Sequence, residues 1–179
     1  MNLQIQKGAG LIEVMVALFI LVIAVLGFVA LQVRAIDASQ DSVFKTQAVH
    51  FMQSLSESIR VNNTAKANYV TNINTYLLAS SKPTAAINCN TTVCTPAQLA
   101  TFESYAIARQ AAIQGLSLGI ATCPGISTST PVADRRVCIF SVWKDTSLTG
   151  TVANLNVANC MSNTGIYVAS SNCLMMESY

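Results

Sequence analysis

The chain has 179 residues, only 10% of them charged, and its ten Lys and Arg against eight Asp and Glu leave a formal net charge of +2. So even a balance provides no basic field for phosphates, and no nucleic-acid partner is expected. The length suits an anchor plus one domain, with a surface built largely from Ser, Thr, Asn and Gln.

The chain opens on a short leader, residues 1–8, in which Lys7 stands beside Gly8. Gly8-Ala9-Gly10-Leu11-Ile12-Glu13 follows, and then eighteen residues from Val14 to Leu31 without a charge. A run of that length can cross a bilayer. A charged residue at the centre of such a helix costs about 2.5 to 3.5 kcal/mol on insertion scales, and less near an end. Glu13 therefore calls for a partner. No small-residue cleavage motif follows the apolar run, so an ordinary secretory signal fits poorly. The positive-inside rule places the Lys7 side in the cytoplasm and everything beyond Leu31 outside.

From Ala9 a helix is expected to continue past the membrane to Asn62-Asn63. That span, Ala9 to Asn62, is 54 residues, roughly 80 Å at about 1.5 Å per residue. Gly27 is the only interior glycine of its apolar part. Residues 32–62 turn amphipathic: Val33 and Ile36 lead into Val43, then Phe44, Ala48, Phe51, Met52, Leu55 and Ile59, of which 44, 48, 51, 55 and 59 follow at steps of three or four. That spacing is one stripe on a helix, suited to burial against a sheet. His50, the lone histidine, lies beside the stripe with no nucleophile or orienting acid marked for it, and reads as a surface or interfacial residue.

The head domain is expected over residues 63–179. It begins with a polar connection holding a short helical piece near Tyr69–Leu78, broken at Lys82-Pro83. Thr95-Pro96-Ala97-Gln98 is a helix start with three agreeing signals: a threonine N-cap, proline at the first helical position and glutamine closing a capping box. A second helix over 96–114 follows, with Leu99, Phe102, Ala106 and Ile113 at helical spacing and Gly115 as C-cap. The texture then changes to strand and turn. A short strand over 119–123 leads to a turn at Pro124-Gly125 and a Ser/Thr-rich loop over 126–134. Residues 136–144, rich in β-branched and aromatic side chains, form the strongest strand. Phe140 and Trp143 lie on its opposite faces, one expected to pack on the long helix and the other open to a partner. Arg135-Arg136, with Asp134 adjacent, reads as a solvated strand edge. Residues 145–150 turn the chain, and 151–158 and 165–169 are weaker strands.

Six cysteines, Cys89, Cys94, Cys123, Cys138, Cys160 and Cys173, point to an oxidising compartment. Six allow fifteen pairings. Nearest-neighbour bridges, Cys89–Cys94, Cys123–Cys138 and Cys160–Cys173, are expected, each closing a local loop. Without a C-x-x-C and with His50 remote in sequence, a metal site is not supported, and neither metal nor cofactor is expected. No triad, paired-carboxylate motif or phosphate loop marks an enzyme.

The stretch from Gly8 to Glu13 resembles the class III signal of type IV prepilins. In that family a dedicated prepilin peptidase cuts after the glycine, and the fifth residue beyond the cut is glutamate. Gly8 and Glu13 match, Leu11-Ile12 match the usual pair before the glutamate, and Ala9 becomes the new N-terminus. Ala9 stands where phenylalanine is usual and Gly10 where threonine is common. More narrowly, the chain resembles PilV-type minor pilins. The motifs are Leu11-Ile12-Glu13-Val14 through Gly27, Ala30-Leu31-Gln32, Ser58-Ile59-Arg60-Val61-Asn62, Cys94-Thr95-Pro96-Ala97-Gln98-Leu99 and Arg136-Val137-Cys138-Ile139.

The resemblance implies an α+β pilin fold: a long N-terminal helix, apolar over 9–31 and amphipathic over 32–62, packed on a small antiparallel sheet with a second helix. It implies that Glu13 meets the free amine of Ala9 on a neighbouring subunit and so sets axial register. Its implied partners are the prepilin peptidase, other minor pilins, the major pilin and, before assembly, inner-membrane lipid. The implied role is non-catalytic: priming assembly and surface display of type IV pili, and so twitching motility and adhesion. A type II secretion pseudopilin and a tip adhesin or binding module are the alternatives.

Overall fold

A computed structural model describes residues 10–126 and 136–178. The chain divides into two compact units, one ending at Val43 and one running from Phe44 onward. Helix α1, Leu11–Val61, contributes to both. In the first unit its apolar side chains are uncovered: Leu18, Leu21 and Leu26 are all more than half exposed.

The second unit is the head. Its part of α1 buries Ala48, Phe51, Met52, Leu55 and Ile59, with Phe44 half-buried. These are the stripe read from the sequence, apart from Val33, Ile36 and Val43, which are exposed. Fully burying a side chain such as Leu55 or Ile59 contributes about 1.5–3 kcal/mol, so the stripe fastens this part of α1 to the head. A 3₁₀ turn, Asn63–Ala65, leads into α2, Lys66–Leu78, which starts three residues before the expected helical piece. α2 ends without glycine. The Lys82 ammonium donates to the carbonyls of Tyr76, Leu77 and Ala79 at 2.9, 3.2 and 3.1 Å, placing a cation on the negative end of the helix.

Helix α3, Pro96–Ile113, carries the expected capping box. The Gln98 amide N–H donates to Thr95 Oγ1 at 3.4 Å, and the Thr95 N–H donates to Gln98 Oε1 at 2.9 Å. Its buried face differs from the expected stripe: Ala100, Ser104, Ala108 and Ala111 face the core, while Ile113 is 68% exposed. Small residues let α3 approach α2 closely, where Tyr69 and Ile73 supply the bulk. The buried face is therefore set by small size and not by the larger apolar residues.

Gly115 at φ +77° turns the chain out of α3, so strand β1, Leu116–Thr122, begins three residues before its expected start. β2, Val137–Trp143, is the central strand of an antiparallel sheet ordered β1-β2-β5. Ile120 pairs with Ile139 on one side, and Ile139 pairs with Met176 on the other. β5, Cys173–Ser178, had no counterpart in the sequence reading. Leu-Met-Met-Glu-Ser lacks β-branched residues, and its extended form follows from pairing along β2. The weak strand expected over 151–158 contracts to a two-residue pair, β3 (Thr149–Gly150) with β4 (Leu155–Asn156). The one expected over 165–169 is reduced to an isolated bridge, Met161 with Tyr167.

The two faces of the sheet bury different cores. Val137, Ile139 and Trp143 face the helices, and Trp143 stacks on Phe44 of α1 with ring centroids 6.4 Å apart. Phe140 and Val142 face a second core with Leu148, Met161 and the bridged cysteines. Phe140 is fully buried there and not open to a partner. The three disulfides pair Cys89 with Cys94, Cys123 with Cys138 and Cys160 with Cys173.

Gly119 lies where β1 is pressed by the second core. A Cβ added there would sit 2.5 Å from Leu155 Cδ2 and 2.7 Å from Leu148 Cδ1. Gly119→Ala can be absorbed by those leucine ends, but Gly119→Val overpacks the site. The valine variant is expected to lose about 1–3 kcal/mol, read as a lower urea midpoint with little change for the alanine variant.

Candidate functional site: the apolar helix and the head it carries

Two regions carry what the chain can do. The first is the start of α1. The Glu13 N–H donates to the Gly10 carbonyl at 2.9 Å, which sets Glu13 in the first helical turn. An eighteen-residue window of α1 has mean hydropathy 3.2, and none of it is buried within the chain. Length and composition allow that helix to cross a membrane. The Glu13 side chain is exposed, and its carboxylate has no hydrogen bond or ion pair among the described residues. Gly8 and Ala9, the expected processing site, lie outside the described residues.

The carboxylate sits at the favourable end of its helix. The first backbone N–H groups are unpaired and carry the positive end of the helix dipole, so a negative side chain there is stabilised. In a lipid or apolar-bundle setting that alone does not offset the loss of water around the charge. A cationic partner would be held tightly, and its removal would be costly.

The second region is the head, whose three helices meet at a polar node. Asn62, just past α1, donates from Nδ2 to the Pro96 carbonyl at 2.8 Å and to the Tyr69 hydroxyl at 3.4 Å. The Tyr69 hydroxyl in turn donates to the Glu103 carboxylate. Burial raises the Tyr69 hydroxyl well above its ordinary pKa of 10.0, and the bond to Glu103 adds to that rise. Folded Tyr69 therefore keeps its proton above the pH at which the unfolded chain releases it. Its contribution to stability is complete below about pH 10 and falls as pH rises further. Tyr69→Phe removes this dependence. The stability gap between wild type and Tyr69→Phe should narrow from pH 8 to pH 11, read from urea midpoints.

Other residues singled out in the sequence have plain environments. His50 is exposed, edge-on to Phe51 with centroids 5.5 Å apart. Arg136 pairs with Glu177 at 3.1 Å on the exposed sheet edge, while Asp134 and Arg135 lie outside the described residues. The loop closed by Cys160–Cys173 exposes Ile166, Tyr167 and Val168, at 68, 46 and 40%. The polar node went unread because Asn62 appeared only as a helix stop and Tyr69 only as a helix start. Nothing in their spacing showed that α3 would bring Glu103 to them.

Residues 30–105 match the family model Tt1218-like, described as type IV pilin Tt1218. No curated protein and no solved structure matches the chain. The matched span runs from the end of the apolar segment through α2 into α3, somewhat less than half of the 179 residues. The long apolar N-terminal helix, the small antiparallel sheet and the further helices make this the α+β type IV pilin fold, and with the family match they support a type IV pilin subunit.

Proposed function

We propose that the chain is a minor pilin of the PilV type that primes assembly and surface display of type IV pili. In this reading the prepilin peptidase cuts after Gly8, and Ala9 supplies the new amine. Residues 9–31 wait in the inner membrane as a single span, with the N-terminus cytoplasmic and the head, residues 63–179, in the periplasm. On assembly the apolar helix leaves lipid for the bundle at the filament core. There Glu13 pairs with the Ala9 amine of a neighbour, which fixes axial register, because two opposite charges in a low-dielectric bundle strongly prefer contact. Other minor pilins and the major pilin are the partners. The amphipathic residues 32–62 join the core helix to the head, and the role is structural.

The observation that carries this reading is the unpaired carboxylate of Glu13, in the first turn of α1 and directly ahead of the uncharged, uncovered run from Val14 to Leu31. A simple anchor has no use for that charge, whereas a packed array of such helices does.

Mass spectrometry of sheared, purified surface pili tests it. The expected result is a peptide beginning at Ala9, methylated or not, at a level far below that of the major subunit. Uncleaved protein confined to the inner membrane in cells with active peptidase would overturn the reading. Cleaved protein that never reaches pili would favour a secretion pseudopilin instead.

A further inference from the structure

One side of α3 away from its buried face borders a groove. Phe102, Tyr105, Ala106 and Arg109 occupy positions i, i+3, i+4 and i+7 of α3 and so share one side of the helix. Opposite them runs the 83–88 segment, which bridges α2 and the Cys89–Cys94 loop and supplies Thr84 and Asn88. The cavity between them measures about 280 Å³. That is just under the usual range for small-ligand sites, about 300–1,000 Å³, and suits one ring of a longer chain.

The chemistry of the lining is specific. Phe102 and Tyr105 are half-buried, so their rings are fixed by packing while part of each remains open. Tyr105 is braced by Tyr76, with centroids 6.0 Å apart. Arg109 is exposed, and its guanidinium has no hydrogen bond or ion pair among the described residues. No acidic side chain lines the groove. A guanidinium lining the same cavity as two half-buried aromatic rings can take a carboxylate while the CH-rich face of a pyranose chair packs on the rings. Thr84, Asn88 and the Tyr105 hydroxyl are suited to ring hydroxyls.

We propose that this groove binds a uronic-acid residue of an acidic polysaccharide, its carboxylate on Arg109 and its ring against Phe102 and Tyr105. Two rivals fit less well. Nucleic acid needs several cations along its backbone, and Lys82, next in sequence to the 83–88 wall, is occupied by the carbonyls of Tyr76, Leu77 and Ala79. An acidic peptide is recognised by a cluster of arginines, and Arg109 is the one cation in the lining of the groove. The proposal does not rest on the place of the chain in a filament, since the groove lies wholly within the head.

Saturation-transfer NMR and calorimetry on the full chain in detergent micelles test it. The probes are tetragalacturonate, a neutral hexose tetramer, oligodeoxythymidylate and oligoglutamate. Tetragalacturonate is expected to bind and the neutral tetramer to bind at least tenfold more weakly. Arg109→Gln is expected to weaken tetragalacturonate binding at least tenfold, and Arg109→Lys to restore part of it. Arg109 is exposed, so its variants should keep the wild-type thermal midpoint. The proposal is overturned by equal binding of the neutral tetramer, by undiminished binding to Arg109→Gln, by no binding at millimolar probe, or by tighter binding of oligodeoxythymidylate or oligoglutamate.

Discussion

Asn74→Ala should be the most damaging single substitution in the head. β1 is an edge strand, with β2 on one side only. On its other side the Asn74 side chain takes the place of a neighbouring strand. Its Oδ1 accepts the Ile120 N–H at 2.9 Å, and its Nδ2 donates to the Ile120 carbonyl at 2.8 Å. The same Nδ2 reaches the Val152 carbonyl at 2.9 Å, which holds the 149–156 hairpin against β1. Asn74 is itself only 1% exposed, so water cannot readily replace it. Truncation to alanine strands a buried donor and a buried acceptor on Ile120 and a part-buried acceptor on Val152. Each such group costs about 1–3 kcal/mol, and partial relaxation brings the expected total to about 3–5 kcal/mol. The thermal midpoint should fall by roughly 10 °C or more.

Asn74→Asp separates hydrogen bonding from shape. It keeps the outline and one acceptor but turns an oxygen toward two carbonyls. At neutral pH it should cost at least as much as the alanine variant. If either variant left the urea midpoint within a few tenths of a kcal/mol of wild type, the side chain would not be what holds the edge of β1.

Removal of the Cys160–Cys173 bridge is the second large effect. The bridge closes a loop of sequence separation 13 and anchors it to β5, the other edge of the sheet. Its loss frees the unfolded chain and should cost about 2–4 kcal/mol. Both sulfurs belong to the second core, with Cys160 fully buried and Cys173 at 7%. A Cys160→Ser/Cys173→Ser double variant adds two buried hydroxyls to that core, so it should fall at the upper end of the range. The Cys89–Cys94 pair gives the contrast. It spans a separation of five, and its loop side chains are open, with Val93 97% exposed. Its double serine variant should be the mildest of the three bridge removals. Urea melts of the three variants under non-reducing conditions test that order. A larger loss from the Cys89–Cys94 variant would show that the second core does not depend on its sulfurs.

The sequence by itself determined the elements whose signals are local. The uncharged run after Glu13 dictates one long apolar helix whatever surrounds it, because no charge interrupts it and Gly27 alone is too small a break. Thr95, Pro96 and Gln98 specify the start of α3 through groups within one turn of each other. The nearly continuous apolar run from Val137 to Trp143 specifies β2 because branched and aromatic residues suit a strand buried on both faces. The stripe from Phe44 to Ile59 was legible because a helix against a sheet buries one side at a fixed period.

Only the tertiary structure decided which side of α3 faces inward. Alanines won over Phe102 and Ile113 because close approach to α2 needs small residues, and no single-helix pattern contains the partner's bulk. β5 appeared because β2 offered a free edge, a property of the sheet and not of Leu-Met-Met-Glu-Ser. Asn74 became the cap of an edge strand, and Tyr69 the node of three helices, through partners 46 and 34 residues away. Buried polar groups must be paired wherever their partners lie in the chain. Spacing along the sequence cannot name those partners, and the fold supplies them.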